Sequence, residues 1–331
     1  KDTYRFVKGL VEQFMSRGRE ASEAARGRFL AEGQEFVNEL VRRGLIRPTD
    51  PNAGARAQAI VREYAKKFPG YVPQETVSAE LISKIRDPRE AIARNYIRSY
   101  LMLTPEEHAR GSAFYPNARE IAEIMARQFN VSPAQMSAAL SALSPQMGWL
   151  RNVITTYEAA RALQGGFRPY ARTTGGTLNM AKAMAALGAR ELEKDPMPLF
   201  LAGESPKTLH FYSSILGGGE PEKILAQYGI EPMPVIDRLM VRAGLGDPAI
   251  KGLGSVSQYN LFGEALKDAA QRLRAKKDSE TQARIWVAMS EGNPIVILRD
   301  PGEFPPVSPV PPEAQSELGR RVINLLMGPG R

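Results

Sequence analysis

Cysteine is absent from all 331 residues. Its absence excludes disulfides, a thiol nucleophile, cysteine-ligated zinc and an ordinary iron–sulfur cluster. Histidine occurs only at His108 and His210, too few for a histidine-built metal centre, so no metal or cofactor is expected. No apolar run reaches the roughly eighteen residues of a membrane-spanning helix, and no signal-peptide pattern opens the chain. A non-membrane, cytoplasmic protein is therefore expected. Position 1 is Lys rather than Met, which suits a trimmed or processed end. Alternating strand text is scarce, and the short IVIL at 295–298 is its best example.

What is present begins with charge. Lys and Arg number 44 against 36 Asp and Glu, for a net charge of +8 and a pI near 9.6. Such a surplus favours a polyanionic partner, because each neutralised phosphate releases condensed counterions. A generally basic, Arg-rich proteome gives the same surplus, so charge raises the question without answering it. A hydrophobic content of 43% is enough for a sizeable core in one large domain or two ordinary ones.

Helical signals dominate. Tyr4, Val7, Leu10, Val11 and Phe14, then Phe36, Leu40, Val41 and Leu45, fall at three- and four-residue spacing. RPTDPNAG at 47–54 and KFPGYVP at 67–73 are breaks around a further helix at 55–67, and helical text resumes at 76–102. Thr104, Pro105 and Glu107 spell a capping box, and Ser132, Pro133 and Gln135 repeat it. The pattern predicts an all-α fold in three parts. These are an N-terminal helical region at 1–103, a main domain at 104–292, and a Pro-rich strap with a C-terminal helix at 293–331. The strap holds FPPVSPVPP at 304–312, which reads as a polyproline II linker.

Three phrases carry the candidate chemistry. In LAGESPKT, 201–208, Leu201 can anchor a turn, Gly203 permits a positive φ, and Ser205 and Pro206 suit a helix start. Free amides there, with the helix dipole, favour a phosphate, and Lys207 and Thr208 lie in that first turn. A plain helix–turn–helix connection would use the same residues. In PVIDRLMVRAGLG, 234–246, Asp237 sits among Val235, Ile236, Leu239 and Met240. A carboxylate in such company is costly unless paired or hydrogen-bonded, and Lys207 could supply the partner charge. A simple N-cap role fits Asp237 equally well. In ALSALSPQMGWLRNV, 139–153, one apolar helix ends at a Ser-Pro-Gln turn and another begins near Trp149.

With these three phrases in order, the chain resembles the helix-hairpin-helix superfamily of DNA glycosylases, the endonuclease-III-like group. Their L-S-x-Q turn is matched by Leu143, Ser144 and Gln146, with Asn152 near a commonly polar position beyond. Their L-P-G-x-G-x-K-T hairpin is matched by Leu201, Gly203, Lys207 and Thr208. Their V-D-T-H-x-x-R is matched around Val235, Ile236, Asp237 and Arg238, with Arg242 downstream. The resemblance covers roughly residues 112–290. Ser205 stands for the second hairpin glycine, Pro206 is unusual in that loop, and the interval from Lys207 to Asp237 is long. These departures resemble an outlying branch associated with bacterial viruses, some of whose members remodel thymine derivatives within DNA.

The resemblance implies a two-lobed, glycosylase-like domain that binds double-stranded DNA and extrudes a base. It implies Lys207 as nucleophile and Asp237 as the carboxylate that activates it or stabilises developing positive charge. Gln146, Trp149, Asn152, Gly203, Ser205, Thr208 and Arg238 would contact DNA, and His210 could assist Lys207. A monovalent cation bridging hairpin carbonyls to phosphate is also compatible with it. Excision of the base and group transfer on a 5-substituted thymine both remain open. The rival expectation is a non-catalytic DNA-binding or virion-associated protein on the same scaffold, and a plain helical scaffold is a second.

Overall fold

The computed structural model describes residues 2–16, 18–48, 59, 76–169, 176–201, 206–247, 250 and 252–290. The fold is all-α. Among the described residues the strands amount to two parallel pairs of two residues each, Arg19–Glu20 with Phe167–Arg168 and Thr76–Val77 with Gly252–Leu253. No described helix is long and apolar enough to cross a membrane. The helix expected at 55–67 (apart from residue 59), the IVIL segment and the Pro-rich tract all lie outside the described residues.

The chain divides into two compact units that interleave in sequence. One comprises Lys1–Pro48 and Tyr115–Pro232, the other Thr49–Phe114 and Met233–Arg331. This differs from the sequential partition at 103 and 292. The reason lies in the first two helices, α1 (Asp2–Ser16) and α2 (Glu23–Arg42). They bury Val7, Leu10, Phe14, Phe29, Val37 and Leu40 within the first unit rather than standing apart. Tyr4, read as part of that apolar face, is exposed.

In the first unit α6 (Pro133–Leu143) is central, buried on every side from Gln135 to Leu143. A helix that is apolar all round has nowhere else to sit. It begins at the predicted capping box, in which Ser132 and Gln135 bond each other's backbone amides. Helices α7 (Trp149–Gln164), α8 (Gly176–Gly188) and α10 (Pro206–Leu216) surround it. The short α9 (Pro198–Leu201) precedes α10, and the short α11 (Glu222–Leu225) follows it. Residues 202–205, the proposed hairpin, lie outside the described residues.

The second unit is built on α4 (Pro88–Leu101), which follows the short α3 (Ala79–Ser83). It packs against α12 (Arg238–Leu245), α13 (Val256–Arg272) and α14 (Asp278–Ser290). The core holds Ile92, Tyr96, Met240, Phe262, Leu266 and Ile285. Helix α5 (Pro105–Phe129) contributes its first ten residues here. It starts at the predicted box, where Glu107 accepts from the Thr104 amide at 2.8 Å and Thr104 Oγ1 from the Glu107 amide at 3.2 Å. Gly111 of α5 lies so close to α14 that an added Cβ would fall 2.2 Å from Arg284 Cα.

Candidate functional site

The apolar α6 ends at Leu143 because Ser144 and Pro145 turn the chain, and Gly148 caps the next helix. Between them Gln146 is exposed and adopts φ 59°, left-handed backbone that a side chain other than glycine rarely takes. Trp149, half-buried at the first position of α7, meets Phe211 of α10 in a T-shaped pair, with ring centroids 6.1 Å apart. The turn is held from below. Asn152 donates from Nδ2 to the Leu140 carbonyl at 2.9 Å, tying the first turn of α7 to α6.

The start of α10 meets this turn. Ser141 Oγ donates to the Thr208 carbonyl at 2.6 Å, and Lys207 Nζ lies 3.5 Å from the Ser144 carbonyl. Two of the three sequence phrases, 63 residues apart between Ser144 and Lys207, therefore share one place in the first unit. Lys207 and Thr208 are half-buried, and His210 is buried in α10. The approach is close because Ser137 and Ser141 of α6, with Ser144 just beyond its end, fall at helical spacing, all buried. Among the described residues Ser137 Oγ, Ser144 Oγ and Asn152 Oδ1 find no hydrogen-bond partner.

Asp237 belongs to the second unit, where it opens α12. Its Oδ1 accepts from the amides of Leu239 at 2.8 Å and Met240 at 3.1 Å. Its Oδ2 accepts from the indole Nε1 of Trp286, at 2.7 Å. Sequence reasoning looked to Lys207 for the charge that stabilises this carboxylate; within its own unit three N–H donors meet that need. Two phenols lock the surrounding backbone. Tyr96 donates to the Met240 carbonyl at 3.0 Å and Tyr259 to the Pro234 carbonyl at 2.9 Å. Burial pushes both hydroxyls well above the ordinary phenol range, and the charge of Asp237 adds to it. Both stay protonated and act as donors.

The remaining site expectations divide by unit and by exposure. Arg238, beside Asp237, is exposed. Asn152 is 1% exposed and spends its amide on Leu140, so it supports the turn from inside and does not face a ligand directly. Leu201, expected to anchor the hairpin in the core, is 41% exposed. Gly203 and Ser205 lie outside the described residues. Trp286 was missed as a site residue, although the chain has only two tryptophans and a buried indole N–H requires an acceptor. Ser141 was missed because nothing local in the sequence announces its partner. Among the described residues no group of three or more Asp, Glu or His is placed to hold a metal ion.

The model of a family of unknown function (DUF7178) matches residues 79–293, and the chain belongs to that family. No curated protein and no solved structure matches it.

Proposed function

We propose that this member of the DUF7178 family is a DNA-binding enzyme of the glycosylase type, acting on a modified pyrimidine turned out of the duplex. The observation that carries the reading is the meeting of the 143–149 turn with the first turn of α10. It brings Lys207 and Thr208 against the turn that carries Gln146 and Trp149, four residues that the resemblance assigns to DNA contact and chemistry. The exposed, left-handed Gln146 supports it further, since unfavourable backbone at a surface tip is commonly kept for a contact. The net charge of +8 suits a phosphate backbone.

In this reading a base must leave the stack before its reactive atom can be approached. Gln146 fills the vacated position or contacts the opposite base, and Trp149 stacks on or shields the extruded one. Thr208, in the first turn of α10, contacts a phosphate, and Arg238 adds a cationic contact. Lys207, as the neutral amine, attacks the sugar C1′ while the base departs with the bonding pair. On a 5-substituted thymine it would attack the methylene carbon and displace its substituent. The resemblance gives Asp237, in the second unit, the part of a charge-stabilising carboxylate. A non-catalytic DNA-binding or virion-associated role is the second reading. It is favoured by the two cap amides on Oδ1 of Asp237, which give that carboxylate a structural task of its own.

The test is duplex binding as a function of salt. The reading predicts that affinity falls by orders of magnitude between about 50 and 200 mM salt, as several phosphate contacts are lost. Absence of duplex binding at the lower concentration overturns both DNA readings together.

A further inference from the structure

We infer that Trp286 is a positioning residue that fixes the functional face of Asp237; this rests on the reading of Asp237 as the working carboxylate. An N-cap needs one oxygen, and Oδ1 already takes both amides that α12 offers. The donor on Oδ2 is therefore surplus to capping, and it comes from a different helix, 49 residues away. Indole is a donor only, whereas an ionised carboxylate has about four acceptor positions. Three are occupied here, so the carboxylate plane is set by donors on both oxygens, with acceptor capacity to spare on Oδ2. Trp286 is itself held, half-buried on α14 with Phe114 of α5 against it, ring centroids 4.9 Å apart. The bond runs between two helices that both pack on α4, so its geometry comes from the core of the unit and not from a loop.

An amide at position 237 would put either an NH2 group against the indole N–H or an NH2 group against the cap amides. Asp237→Asn thus loses either this bond or the cap bonds, whereas Asp237→Ala removes the indole's acceptor outright. With two tryptophans in the chain, the indole region of a proton–nitrogen spectrum holds two side-chain resonances, and the one lost in a Trp286 variant is assigned by that loss.

The experiment compares wild type, Trp286→Phe and Trp286→His on duplexes carrying 5-substituted thymines, uracil and abasic sites. Phe keeps the ring against Phe114 and removes only the donor; His restores a ring N–H. We expect Trp286→Phe to lower kcat by roughly ten- to a hundred-fold with KM and duplex Kd unchanged, and Trp286→His to regain part of the loss. The indole resonance of Trp286 should move upfield in Asp237→Ala. Wild-type kcat in a folded Trp286→Phe overturns the inference and leaves the proposed function standing. Absence of wild-type turnover on every duplex overturns the enzyme reading, and the inference with it. Should Trp286→Phe fail to fold, an unmoved indole resonance in Asp237→Ala overturns the inference by itself.

Discussion

Ser141 on α6 donates its hydroxyl to the Thr208 carbonyl on α10 at 2.6 Å, joining two helices 67 residues apart in sequence at the point where the candidate residues gather. Ser141 is fully buried. Ser141→Ala removes the donor and leaves a carbonyl without that partner, at a cost of about 1 kcal/mol. Ser141→Val adds bulk between close helices and should cost more, about 1–3 kcal/mol. Urea unfolding should show lower midpoints in that order with unchanged slopes. Equal midpoints for all three proteins would show that the helices do not depend on this bond.

Gln146 is predicted to hold function and stability in opposition. Glycine tolerates its φ of 59° without a Cβ penalty, so Gln146→Gly should stabilise the protein by up to about 1 kcal/mol. The same change removes the side chain that the proposed function places against the duplex, and affinity for a flippable base should fall. A stabilised variant with unchanged DNA affinity would remove Gln146 from the contact surface.

Gly111 tests the packing of α5 on α14. A Cβ there would overlap the backbone of Arg284, which cannot move aside as a flexible side chain would. Gly111→Ala should destabilise the second unit by about 3 kcal/mol or more, a magnitude reserved for severe core disruption. Thermal unfolding of the full chain measures it, and a wild-type melting temperature would contradict the close approach.

Glu90 provides a pH-dependent prediction with a defined sign. Hydrogen bonds from Arg272 first and Arg94 second hold its carboxyl down to about 2, from an ordinary 4.5. The folded value lies below the unfolded one, so the unfolded chain binds the extra proton between them. The stabilisation is fully present above 4.5 and is lost as pH falls toward about 2. Arg272 is 47% exposed, and solvent screening limits the pair to at most about 1 kcal/mol. Glu90→Gln should flatten the acid limb of the stability curve and lower the neutral plateau slightly. An acid limb identical to wild type would show that the ion pair contributes nothing measurable.

The features legible in the sequence are those written locally. The boxes at Thr104 and Ser132 each need residues within one turn, and both form as read. The turn at Ser144, Pro145 and Gln146 was legible for the same reason, as was the start of α10 at Pro206. The association of α1 and α2 with α7 and α8 was not, because an amphipathic stripe records that a face is buried but not against what. Asn152 was expected as a DNA contact through the resemblance alone, and its bond to the Leu140 carbonyl, 12 residues back in another helix, is not written locally. The bond from Trp286 to Asp237 spans 49 residues, and no spacing rule reaches that far.

The most direct test of the central claim is product analysis with wild type, Lys207→Ala and Asp237→Asn. The duplexes carry uracil, oxidised pyrimidines, abasic sites and 5-substituted thymines, scored for strand scission and altered nucleoside mass. The account predicts turnover of at least one substrate by wild type and none by either variant, with duplex affinity largely retained. On the proposed function, affinity would come from dispersed phosphate contacts and the chemistry from one amine and one carboxylate. If wild type and both variants bind DNA equally and leave every substrate unchanged, the enzyme reading is contradicted and the binding-scaffold reading replaces it.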